Sequence, residues 1–300
     1  MVRSGSVGMT VPAAASTGAQ AAPVLVTGLF DDAALFPPGD APMAAAIPAH
    51  RRLRARLGDL VGPFVVPATR LGELSEHLGA GEPVGISLIA AAGDLPAAAA
   101  RVTPSPGLVL AAVEVPVVTD AAAATEAVRV LDDVLPAGVP AAVELPRTAT
   151  RDEVLDALAG TGYRAKLRTG GVRAALFPSP VELADTLHAC VTRGVAVKCT
   201  AGLHSAVRHT DPATGFAHHG FLNVLLAASA LASGAPPAVA ADWLAETDPG
   251  TVATAVRNWP ADRATRARAA FTSFGTCSVL EPVDDLVTLG LLPSPERISQ

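Results

Sequence analysis

Lys166 and Lys198 are the only lysines in a chain with 22 basic residues. A composition that puts arginine wherever a generic cation will do keeps an amine where an amine is needed. Arginine cannot lose its proton in a protein, whereas a lysine's pKa falls readily on burial or beside another cation. Lys166 lies in Tyr163-Arg-Ala-Lys-Leu-Arg-Thr-Gly-Gly171, and Lys198 in Val195-Ala-Val-Lys-Cys-Thr-Ala-Gly202. Both segments read as strands that end in small turn residues. Alternation then turns Lys166, Arg168, Lys198 and Thr200 to one side, and Ala165, Leu167, Val197 and Cys199 to the other. Adjacent strands lie about 4.8 Å apart, so the two ammonium groups approach, and each is expected to depress the other's pKa. A lysine free of its proton at neutral pH is the nucleophile that Schiff-base chemistry on a carbonyl requires. Simple pairing of a buried carboxylate is the competing reading.

Two glutamates belong with them. Glu114 in Ala112-Val-Glu-Val-Pro116 and Glu144 in Ala142-Val-Glu-Leu-Pro146 hold equivalent places on earlier strands, with Val113 and Val143 turned away. A buried charge is costly unless paired. Two glutamates facing two lysines and Arg168 make an electrically sensible set, and either glutamate is a candidate general acid or base. For one glutamate alone, a structural ion network explains the residue equally well.

The loop after Lys198 reads Leu203-His-Ser-Ala-Val-Arg-His-Thr-Asp211 and then Ala217-His-His-Gly220, and it holds four of the seven histidines. His204, nearest the strand end, is the candidate proton shuttle. Arg208, His218 and His219 are candidate substrate contacts, as is Thr200. Gly170 and Gly171 offer backbone N–H groups that, with Arg168, could hold a carboxylate or phosphate. Asp31 or Asp32 follows the first apolar run, and Asp32 is taken as a further substrate contact. Cys277 reads as a packed thiol. His50, His77 and His188 fall in helical segments and read as surface or packing residues.

Eight apolar runs could position these side chains: 24–30, 61–67, 84–90, 108–115, 139–145, 163–169, 195–201 and 271–277. Runs of this kind, bounded by Gly or Pro, are what strands buried on both faces look like. Helical patterns at 43–60, 70–79, 120–135, 150–160 and 180–193 separate them, and a closing helix spans 282–289. Ser179-Pro180 opens one helix with a cap residue and a first-turn proline, and Thr150 with Glu153 suggests a capping box for another. The link 91–107, punctuated by Pro96, Pro104 and Pro106, is the weakest helix.

The alternation predicts an α/β fold, a (β/α)8 TIM barrel over 23–300. A disordered leader covers 1–22, and a long helical insertion, 202–270, precedes the last strand. Both lysines then stand near the C-terminal mouth, where barrel enzymes place their chemistry. An open doubly wound sheet would give the same alternation, but no Gly-x-Gly-x-x-Gly follows an early strand.

Composition excludes some partners. A net charge of −6 argues against nucleic acid, which needs a basic face. No run approaches the roughly 20 apolar residues of a membrane span. Three cysteines, Cys190, Cys199 and Cys277, without a CxxC spacing, fit a reducing cytoplasmic compartment. The expected partner is a small molecule, and a homo-oligomer stays open.

Two lysines on the sixth and seventh strands, each followed by a Gly-rich turn, resemble class I aldolases of the deoxyribose-phosphate aldolase kind. The resemblance covers about 40 residues around these two strands. It implies that Lys166 forms an imine with substrate and that Lys198 tunes it. The turn Lys198-Cys-Thr-Ala-Gly is the more similar to the family's imine-lysine turn, so the two roles stay open between the lysines. The expected function is an aldolase-type lyase acting on a small, anionic keto or aldehyde substrate without a cofactor. A metal-dependent isomerase or hydrolase is the first alternative, with Glu114, Glu144 and His204, His218 or His219 holding a divalent ion, although no HxH or HExxH spacing marks such a site. A non-catalytic barrel that binds a small anion is the second.

Overall fold

The computed structural model describes residues 21–79 and 81–293. Eight parallel strands close into a barrel. They are β1 (Phe30–Asp32), β2 (Val61–Pro67), β3 (Val84–Ile89), β4 (Leu108–Val115), β5 (Ala141–Glu144), β6 (Arg164–Arg168), β7 (Val197–Thr200) and, last in the chain, β10 (Phe271–Thr276). A short antiparallel hairpin, β8 (His209–Thr210) with β9 (Ala217–His218), lies in the loop after β7. Sequential strands pair around the ring, and β10 closes it between β7 and β1. The chain therefore folds as a (β/α)8 TIM barrel.

Outward-facing strand residues meet the amphipathic faces of the surrounding helices. Phe30 and Phe274 pack edge to face, with centroids 5.5 Å apart, and both meet Phe221 on the helix Phe221–Ala232. That helix is buried along almost its whole length, as its apolar sequence FLNVLLAASALA requires. The long insertion before β10 contains the hairpin and four helices, Phe221–Ala232, Pro237–Ala245, Pro249–Arg257 and Ala261–Ala270.

Helix starts follow local chemistry. Ser179 caps Pro180–Thr192, its side chain accepting from the Glu182 N–H at 3.2 Å, with proline in the first turn. Thr150 makes no such bond; its hydroxyl donates to the Thr119 carbonyl at 2.6 Å and ties two loops together. The proline-marked link between β3 and β4 does contain a helix, Leu95–Val102, because Pro96 falls in its first turn and not its interior.

The start of the chain departs from expectation. Residues 1–20 of the expected leader lie outside the described residues, and residues 21 and 22 open a helix, Ala21–Val26. The expected first strand at 24–30 is thus replaced by this helix and by β1 further on. Phe30 faces the helical shell, so alternation turns Asp31, and not Asp32, into the barrel. Among the described residues no helix is long and apolar enough to cross a membrane.

Candidate active site

The barrel axis holds a ladder of charges of alternating sign. Strand register sets Glu144 beside Lys166, and Lys166 beside Lys198. Lys198 Nζ lies 2.7 Å from Asp31 Oδ2 and also contacts Glu114 Oε1. Glu114 Oε2 accepts from Lys166 Nζ at 3.1 Å, and Lys166 lies 2.9 Å from Glu144 Oε2. Arg168 Nε donates to Glu144 Oε1 at 3.0 Å. The sequence of partners is therefore Asp31, Lys198, Glu114, Lys166, Glu144 and Arg168. Ser87 donates to Glu114 at 2.8 Å, and Ser273 to Asp31 at 3.0 Å.

Three carboxylates balance three cations, and five of these six side chains are buried. Arg168 is the exception, with a side chain 38% exposed, and it marks the end of the ladder open to solvent. It stands at the C-terminal end of β6, two residues beyond Lys166.

The electrostatics differ from the simple pairing of two lysines. Burial alone would lower Lys198, but Asp31 and Glu114 outweigh it and raise its pKa above the ordinary lysine value. Burial acts on Glu114 too, yet Lys198 and Lys166 overcome it and hold the carboxyl down at about 2. Asp31 goes the other way: burial dominates and raises it despite Lys198. Mutual depression of the two lysines is therefore corrected for Lys198, because carboxylates stand between the amines and fix its charge.

Asp32 is not a mouth residue. It points into the helical shell, buried, and its Oδ2 meets His50 Nδ1 at 2.9 Å. His50 packs against Phe64, so this pair ties β1 to the helix Met43–Leu57. The inward acid is Asp31, which a strand boundary set a few residues too early had hidden.

The glycines at the strand ends have a packing role. A Cβ on Gly170 would lie 2.7 Å from Gly202 Cα and 2.8 Å from Phe177, so the turns after β6 and β7 touch backbone to backbone. Gly202 itself has φ +78°, a conformation that favours glycine. Thr200 pairs in register with Arg168 near the same end, and its carbonyl accepts from the Thr169 N–H at 3.0 Å.

The loop histidines separate. His204 lies on the C-terminal rim, 2.9 Å from Glu281 and 3.4 Å from Thr276 Oγ1, with Cys277 Sγ 3.8 Å away. His218 packs at a tilt against Phe177 and His209, and burial and then His209 lower its pKa. Its Nδ1 has no hydrogen-bond partner among the described residues. His219 is fully buried, with Nε2 2.8 Å from the Pro178 carbonyl and Nδ1 3.3 Å from Arg208. Burial pushes it down to about 4, so it is neutral and structural at physiological pH. Its Nδ1 lies against the Arg208 guanidinium, and the Arg208 backbone N–H donates to Asn223 Oδ1. Among the described residues no group of three or more His, Cys, Asp or Glu is arranged to hold a metal ion. The glutamates of the expected metal set are paired with lysines and not with histidines.

At the opposite, N-terminal end the barrel is hollow. A cavity of about 290 Å³ reaches from Gly62, Pro140 and Thr272 up to Asp31 and Lys198. Arg164, the first residue of β6, and Arg268 also line it. Alternation along β6 places Arg164 on the same face as Lys166, so its inward direction is legible in the sequence. Compared with models of known protein families and with curated proteins, the chain matches none. The fold itself is one that commonly carries enzymes.

Proposed function

We propose that the protein is an aldolase-type lyase in which Lys166 forms an imine with a small anionic keto or aldehyde substrate. The observation that carries this reading is the shared carboxylate: Glu114 accepts from both lysines, one on each oxygen, inside a buried barrel. Both lysines contact two carboxylates, and Lys198, whose partners Asp31 and Glu114 outweigh its burial and raise its pKa, is read as the permanent cation. Lys166 is nearer the open end of the ladder and borders Glu144, which Arg168 holds from the mouth.

In this reading the anionic end of the substrate draws Arg168 away from Glu144, and Glu144 takes the proton of Lys166. The neutral amine then attacks the carbonyl carbon, and the resulting carbinolamine loses water to give an iminium ion. A carboxylate removes the proton from a hydroxyl β to the iminium carbon. The carbon–carbon bond breaks, an aldehyde leaves, and its electron pair passes to the nitrogen as an enamine. Reprotonation of the enamine carbon and addition of water release the second product and return the amine. Lys198, positively charged beside the reacting nitrogen, makes the iminium carbon more electrophilic and so favours the passage of electrons to the nitrogen. Reduction with borohydride in the presence of pyruvate (an anionic ketone) or glyoxylate (an anionic aldehyde) tests the reading by covalent mass gain on Lys166; no adduct with either would end it.

A further inference from the structure

The floor of a barrel of this class is ordinarily filled by layers of bulky branched side chains. Here the N-terminal end is lined by Gly62, Ala111, Ala112, Ala141 and Ala142, and the space they leave is the cavity of about 290 Å³. Gly62 is required, because a Cβ there would run into the Asp31 carboxylate. A bulge in β4, where the register with β3 slips between Ile86 and Ser87, falls at Ala111, one of the lining residues.

Cations outnumber anions around this space: Arg164, Arg268 and Lys198 face the single carboxylate Asp31, which attracts both arginines. The Arg164 side chain makes no hydrogen bond or close ion pair among the described residues; burial lowers its pKa, and the more distant Asp31 carboxylate only partly opposes that. Arg268 is anchored by backbone carbonyls alone, donating to Phe271 O at 3.0 Å and Thr27 O at 2.9 Å. Burial pushes its guanidinium down to about 10, which still leaves it charged at neutral pH. The one carboxylate that lines the cavity, Asp31, is already bound to Lys198 and Ser273. Two largely covered guanidinium groups thus border a cavity wide enough for several waters, and guanidinium forks make strong charge-assisted hydrogen bonds to anion oxygens.

We propose that the N-terminal mouth is a second small-molecule site that takes a phosphate or carboxylate anion between Arg164 and Arg268. It lies at the other end of the barrel from Arg168 and does not rest on the imine chemistry. A phosphate or small carboxylate fits the volume, and planar guanidinium forks suit its oxygens.

Titration of the full chain with inorganic phosphate at constant ionic strength, followed by calorimetry and by the thermal midpoint, tests this. The wild type binds phosphate saturably at this site and gains thermal stability, and acetate competes if carboxylates share the site. Arg164→Gln, which removes a side chain with no protein partner, weakens binding about tenfold or more. Arg168→Gln, at the opposite mouth, leaves the affinity unchanged. Ala112→Leu, which fills the cavity and keeps both arginines, abolishes binding, its ligand-free thermal midpoint reporting that it is folded. Absence of saturable phosphate binding, unchanged affinity in Arg164→Gln, or loss of binding in Arg168→Gln overturns the assignment.

Discussion

Lys166 and Lys198 stand side by side in register, yet they are joined through a single carboxylate, each ammonium taking a different oxygen of Glu114. The two amines are thereby held close without confronting each other. Removing the bridge leaves two buried cations short of a partner. Glu114→Gln is predicted to destabilise the fold by about 3–5 kcal/mol, the scale for breaking a buried pair. Urea unfolding measures it, and a loss under about 1 kcal/mol would mean that the ladder is solvated and not a desolvated network.

Acid stability depends on the same residue. The Glu114 carboxyl sits at about 2, below its ordinary 4.5. A depressed acid contributes stability that is complete above its unfolded pKa and is lost as pH falls toward the folded one. The window is therefore pH 4.5 to 2, and the contribution is on the order of 3 kcal/mol. Asp31, raised by burial, acts in the opposite sense, since the folded form binds its proton more readily. Lys198, raised overall, contributes below its unfolded value and loses that contribution only in strong alkali. Unfolding free energies of Glu114→Gln measured across pH 2–6 are predicted to be flatter than those of the wild type.

The Lys198–Asp31 contact gives a double-mutant test. Lys198→Met leaves Asp31 buried without its cation and Glu114 with Lys166 alone, and is predicted to cost several kcal/mol. Adding Asp31→Asn removes that stranded charge and restores part of the loss. Additive effects in chemical denaturation would show that the 2.7 Å contact carries no coupling.

The buried His50–Asp32 pair separates structure from chemistry. Asp32→Ala leaves His50 without its carboxylate and is expected to lower stability by about 1–3 kcal/mol. Covalent trapping at Lys166 continues unchanged, because Asp32 faces the helices and not the barrel axis. A variant with normal stability and no trapping would return Asp32 to the reacting centre.

Alternation made most of this arrangement readable in the sequence. Continuous apolar runs gave the barrel strands, and period-two counting turned Glu114, Glu144, Lys166 and Lys198 inward. It failed where the strand boundary was wrong. Ala-Ala-Pro-Val-Leu-Val is as apolar as a buried strand, and a six-residue helix has too few turns for a helical period to show. Misplacing that strand hid Asp31. Pairing between distant residues was also beyond reach: nothing local to His219 marks its bond to Pro178, and nothing near Gly170 announces that Gly202 lies against it.

Peptide mapping of the borohydride-reduced protein, in wild type and in Lys166→Met and Lys198→Met, examines the central claim directly. The account predicts one reduced adduct, on Lys166, absent from Lys166→Met and formed more slowly in Lys198→Met. An adduct on Lys198, or undiminished labelling in Lys166→Met, would contradict it.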